Sequence, residues 1–152
     1  MKNICFLLSA FLGFVFISGC SDASKKLEEI SAIPSIKFIS MNPTTAVKNT
    51  DKVVITFEFT DGDGDLGDNT SDVKNLFCTD SRNGVTYEFR LPQYAPDNSK
   101  IIIHGQQAFD LPPQGFVDDA HTTETATYSI YVKDRAGNVS NTVQTSELRI
   151  NQ

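Results

Sequence analysis

From Ile36 onward, apolar residues recur at every second position. In "VVITFEFT" (53–60), Val53, Ile55, Phe57 and Phe59 share one face, while Thr56, Glu58 and Thr60 take the other. In "TATYSIYVKD" (125–134), Ala126, Tyr128, Ile130 and Val132 alternate with Thr127, Ser129, Tyr131 and Lys133. A period of two is that of a strand with one face buried, not of a helix. The segments "SIKFISM", "NLFCTD", "VTYEFRL", the shorter "KIIIHG" and "NTVQTSELRI" extend the pattern and bring the predicted strands to seven. Ser81-Arg82-Asn83-Gly84 separates two of them, and Asn-Gly accommodates the positive φ of a hairpin turn. Short strands punctuated by turns, without a convincing helical stripe, predict an all-β sandwich with Greek-key connections over residues 36–152.

The N-terminus breaks this pattern. Lys2 precedes "ICFLLSAFLGFVFISG", an apolar run too short for a confident membrane span, with the flanks of a secretory signal. Its end, Ile17-Ser18-Gly19-Cys20, resembles the lipobox of bacterial lipoproteins. That resemblance implies cleavage after residue 19 and acylation of Cys20, which would hold the protein to a membrane. Each buried methylene contributes about 0.8 kcal/mol, so more than one acyl chain gives stable attachment. Ser21 rather than Asp follows the cysteine, which in enteric-type sorting favours the outer membrane. Residues 20–35 then read as the lipidated cysteine and a polar, flexible tether.

Charge and cysteine usage narrow the partners. The full chain of 152 residues carries 13 basic and 19 acidic side chains, a net of −6, and losing Lys2 with the signal makes it more acidic. Such a surface argues against nucleic acid and anionic headgroups and suits cations. Of the 3 cysteines, Cys5 leaves with the signal and Cys20 is lipidated, so Cys78 has no intramolecular partner and reads as a small buried residue.

The stretch "YSIYVKDRAGNVSNTV" (128–143) resembles the last two strands of bacterial immunoglobulin-like and fibronectin type III-like domains, through the turn Asp134-Arg135-Ala136-Gly137-Asn138-Val139-Ser140. The implied fold is an immunoglobulin-like antiparallel β-sandwich of about seven strands. With the lipobox and "FTDGDGDLG", the whole chain looks like the small uncharacterised lipoproteins of Bacteroidetes-type bacteria.

The chemistry concentrates in the loop after "VVITFEFT". Asp61, Asp63 and Asp65 alternate with Gly62 and Gly64, so the backbone can curl and the carboxylates converge. Two carboxylates about 6 Å apart repel by roughly 3 kcal/mol at an effective dielectric of about 20. A hard divalent cation reverses that sign, and Ca²⁺ with its flexible shell of oxygens suits the loop better than Mg²⁺. The loop also resembles the DxDxDG calcium loops of EF-hands and dockerins. Asp61, Asp63 and Asp65 fit the first three ligand positions and Asp72 the closing one; Leu66 replaces the usual glycine, and flanking helices are lacking. In an immunoglobulin-like sandwich, the loop after the second strand and the turn after the sixth emerge at one end. Asp134 therefore joins the candidate ligands, and Asp68, Asn138 and, from the connection 92–100, Asp97 extend the set.

His104 and His121 lack metal-ligand spacing, and neither a nucleophile elbow nor a phosphate-binding loop occurs. The carboxylates crowd one loop instead of flanking a substrate as in glycosidases. The expectation is a non-catalytic, membrane-anchored binding or scaffold module with a structural Ca²⁺ site, presenting loops to an envelope protein or polysaccharide. The alternatives are an accessory subunit without external ligand and a metal-dependent hydrolase built on the Asp-rich loop. In "GQQAFDLPPQGFVDDAH" (105–121), read as a loop, Phe109 and Phe116 plug the sandwich or form a contact surface, with Tyr94 and Tyr131 as further contact candidates.

Overall fold

The computed structural model describes residues 30–152. The signal peptide, Cys20 and most of the tether lie outside the described residues. Ten strands follow in order: β1 (Ser35–Asn42), β2 (Thr45–Val47), β3 (Val53–Asp61), β4 (Leu76–Asp80), β5 (Thr86–Phe89), β6 (Ile103–Leu111), β7 (Thr123–Ala126), β8 (Tyr128–Val132), β9 (Val143–Gln144) and β10 (Leu148–Asn151). The described residues contain no helix.

One sheet has the order β1-β3-β6, antiparallel throughout, and a second has β5-β4-β8-β9. The third, β2-β10-β7, carries on the strand line of the second: β7 and β8 are separated by Thr127 alone, and β9 and β10 by residues 145–147. Here β2 runs parallel to β10, so the first strand line serves one sheet as β1 and the opposite layer as β2. The arrangement is an immunoglobulin-like β-sandwich. The sixth and seventh predicted strands are each interrupted once, and β2 is an addition to the predicted set.

The core follows the alternation. Val53, Ile55, Phe57 and Phe59 of β3 face Cys78 of β4 and Tyr128, Ile130 and Val132 of β8 in one buried cluster. The Cys78 thiol is pushed up to about 12, by burial first and by the nearby Asp80 charge second, so it stays protonated and inert.

One boundary needs correction. The fifth strand does not stop at Gly105; β6 runs on to Leu111, pairing Gly105 with Phe59 and Leu111 with Val53. The first part of the predicted loop is therefore strand. Its alternation turns Phe109 inward, where its ring meets Phe57 at 6.2 Å and Phe89 at 4.8 Å between centroids. Phe109 is a core residue, not part of a contact surface.

Candidate metal centre

The alternation that buries the β3 core does not end at its last apolar residue. Asp61 occupies the next inward position after Phe59 and is fully buried. The same holds across the sandwich: Asp134 follows Tyr128, Ile130 and Val132 by the same two-residue step and is buried too. Strand geometry thus carries two carboxylates to the rim of the apolar core. Leu66, also fully buried, closes the loop beneath them, and its amide donates to Asp61 Oδ2 at 2.8 Å.

Asp61, Asp63 and Asp65 come together. Each offers a carboxylate oxygen within 4.8 Å of the others'. Their second oxygens are unequally served. Asp61 Oδ2 has the Leu66 amide, and Asp65 Oδ2 accepts from Ala136 N at 2.9 Å. In all three residues Oδ1 is buried without a hydrogen-bond partner. Buried polar atoms are ordinarily paired, so three orphaned anionic oxygens in one loop are costly unless something positive meets them. Burial, then the charges of Asp63 and Asp65, push the Asp61 carboxyl up to about 6 against the Leu66 hydrogen bond. Asp65 is raised as well, first by burial and next by Asp134, with the Ala136 amide and Arg135 opposing. Gly64 sits between two of the aspartates at φ 76°, and a Cβ there would strike the Ile101 carbonyl oxygen.

The three loops predicted to share this end do so. The Arg135 amide donates to the Asp65 carbonyl at 3.2 Å. Its guanidinium reaches the carbonyls of Gly67 at 2.7 Å and of Gly64 and Ala95 at 3.5 Å. Arg135 thus ties the Asp-rich loop, the turn after β8 and the connection 92–100 together. An open cleft between them is lined by Asp63, Asp65, Asp97, Lys100 and Arg135.

The remaining candidates are placed differently. Asp134 lies close enough to Asp65 to raise its carboxyl, yet both of its oxygens are engaged by Asn138, through the amide at 2.7 Å and the side chain at 2.9 Å. The pair closes the turn after β8 as an Asx motif. Asp68 caps Thr70 at 2.7 Å, and these contacts hold its carboxyl below the usual range. Asp72 is exposed and bonds its neighbour Ser71, while Asp97 accepts from Gln93 at 3.0 Å and faces Arg135 at 3.6 Å. None of these four aspartates belongs to the convergent group of three.

Of the contact candidates, Tyr94 stacks on Phe59 at 4.5 Å and donates its hydroxyl to Gln107. Tyr131 stacks on Phe77 at 4.8 Å between paired positions of β8 and β4, and Phe116 packs half-buried beneath Lys48. Sequence reasoning missed the structural parts of Arg135 and Leu66. Arg135 occupies the free position of the turn motif, and Leu66 stands where a calcium loop of the EF-hand kind has glycine.

No protein-family model matches the chain, and no curated protein is significantly similar to it.

Donor chemistry decides what the group could hold. Three carboxylates without nitrogen or sulfur suit a hard cation and disfavour zinc or copper. Three protein oxygens leave the rest of a six- to eight-oxygen shell to water and loop carbonyls, a demand Ca²⁺ meets more readily than Mg²⁺ with its strict octahedron.

Proposed function

We propose that the chain is a lipid-anchored protein of the cell envelope whose immunoglobulin-like sandwich is a non-catalytic binding or scaffold module stabilised by Ca²⁺. The observation that carries the calcium reading is the convergence of Asp61, Asp63 and Asp65 with one buried, unpartnered oxygen on each. The anchor rests on the Ile17-Ser18-Gly19-Cys20 resemblance, with Ser21 favouring the outer membrane. The open cleft beside Asp63 and Asp65 is the surface offered to an envelope protein or polysaccharide. A resemblance to small lipoproteins of Bacteroidetes-type bacteria agrees with the anchor and the fold.

Thermal melting of the full-length protein tests the calcium reading. Free Ca²⁺ at a hundred times its Kd adds about 2.7 kcal/mol of stability relative to chelator. Asp63→Asn and Asp65→Asn abolish the difference; a shift that survives both substitutions places the ion elsewhere. The anchor has its own test in fractionation. Cys20→Ala moves the protein from the membrane to the soluble fraction, and retention of the variant in the membrane refutes lipidation at that residue.

A further inference from the structure

The Asp-rich loop touches the chain at the point where it enters the domain. Gly62 lies between two of the converging aspartates, and its amide donates to the Ser31 carbonyl at 3.0 Å. The approach is closer than this bond alone requires. A Cβ on Gly62 would lie 2.5 Å from the Ser31 oxygen and would also strike the Ile30 carbonyl. The φ of Gly62 lies outside the left-handed region, so glycine is needed here for the passage of residues 30 and 31 and not for the turn itself. Ile30, Ser31 and Ala32 share a cavity with Gly62, Asp63 and Lys100. Asp63 therefore faces the cleft beside the carboxylates on one side and the entering chain on the other.

We propose that a cation held by Asp61, Asp63 and Asp65 clamps residues 30–32 to the loop, so that the direction in which the domain leaves its N-terminal segment depends on metal. The proposal rests on the calcium reading above and adds a consequence for the joint between domain and stalk. The coupling is local and mechanical. The Gly62 peptide is oriented by the same turn that aims the Asp61 and Asp63 carboxylates at one point. Without an ion their repulsion opens that turn, and the amide swings away from Ser31. With an ion the turn is held, and the amide stays on the carbonyl. A single hydrogen bond is weak enough for the occupancy of one divalent site to decide whether it persists.

Hydrogen exchange and backbone amide relaxation by NMR on the full-length protein in detergent, in saturating Ca²⁺ or in chelator, test the clamp, with Ca²⁺ binding followed in parallel by calorimetry. In the wild type, Ca²⁺ slows exchange in residues 61–66, with the Gly62 amide that donates to Ser31 slowed by at least the roughly fivefold factor one ordinary hydrogen bond supplies, and it also damps the fast backbone motion of residues 30–33. Asp63→Asn removes both effects. Gly62→Ala, whose methyl displaces residues 30 and 31, loses the calcium effect on residues 30–33 wherever calorimetry shows that Ca²⁺ still binds. If Ca²⁺ binds and protects residues 61–66 while residues 30–33 are equally mobile in both conditions, the clamp is wrong and the metal site stands. If Gly62→Ala keeps the calcium effect on residues 30–33, the Ser31 contact is not the link and the clamp is likewise wrong. If the wild type binds no Ca²⁺, the site and the clamp fall together. Should Gly62→Ala not fold or not bind Ca²⁺, the contrast between wild type and Asp63→Asn still decides.

Discussion

Asp61 is under opposed demands. Strand alternation assigns it an inward position one step beyond Phe59, and full burial there penalises its charge. The amide of Leu66 favours the carboxylate, yet the net effect raises the carboxyl to about 6. Near neutral pH, then, a metal-free domain keeps a charge where a neutral group would be cheaper. Asparagine retains an oxygen for the Leu66 amide and removes the charge. Asp61→Asn should therefore have effects of opposite sign in two buffers. In chelator it melts higher than wild type, by an amount on the order of 1–3 kcal/mol. In saturating Ca²⁺ it melts lower, because the variant has lost a ligand and its linkage stabilisation. Paired calorimetric scans read the crossing directly. A variant less stable than wild type in both buffers means that Asp61 is satisfied without an ion, and the calcium reading fails with it.

At the level of elements, the strands were legible where their alternation was strong and obscured where tertiary contacts substitute for it. In β3 every inward position but the last is apolar, in β8 every one is, and the sequence reading places these inward residues correctly. In β6 the inward series is Ile103, Gly105, Gln107, Phe109 and Leu111. Glycine and glutamine in that series read as loop. The physical reason is a neighbour: a Cβ on Gly105 would press on the Phe59 ring at 3.1 Å, so the aromatic of β3 occupies the volume a β6 side chain would otherwise take. Gln107 in turn accepts the Tyr94 hydroxyl at 2.7 Å. Neither fact has a local signature. The Asp-rich loop was legible for the converse reason, since its signal is local: glycines between the aspartates permit the tight curl that brings the carboxylates close. Asp134 was legible as a position but not as an orientation, because whether it turns to an ion or to Asn138 depends on a turn closed by its own hydrogen bonds. The role of Arg135 was invisible, because its three carbonyl partners come from segments 40 to 71 residues away.

Across the whole molecule, the two ends of the sandwich solve one problem in different ways. Each end buries a carboxylate at the last inward position of a strand: Asp61 on β3, and Asp80 at the end of β4. Asp80 is compensated within the chain. Arg82 reaches it at 2.6 Å, meets Glu124 at 2.8 Å and donates to the Gly115 carbonyl at 2.9 Å. One guanidinium thus fastens the hairpin after β4, strand β7 and the segment following β6. At the opposite end three clustered carboxylates face Arg135, whose guanidinium donates to carbonyl oxygens and stands off Asp97 alone among carboxylates. On the calcium reading the charge at that end is met by a cation, and the two ends should then respond independently. Arg82→Met strips Asp80 of its partner and should cost about 3–5 kcal/mol in urea denaturation, the penalty for leaving a buried charge unpaired. Adding Asp80→Asn to Arg82→Met should recover part of that loss, since the charge then goes with its partner. In both variants the stability increment from Ca²⁺ should match that of wild type within about 0.5 kcal/mol, as expected for sites without shared partners. An increment that collapses with Arg82→Met would mean that the Asp-rich end is held through the core by the Arg82 end, and the division between an internally neutralised end and an ion-dependent end would have to be abandoned.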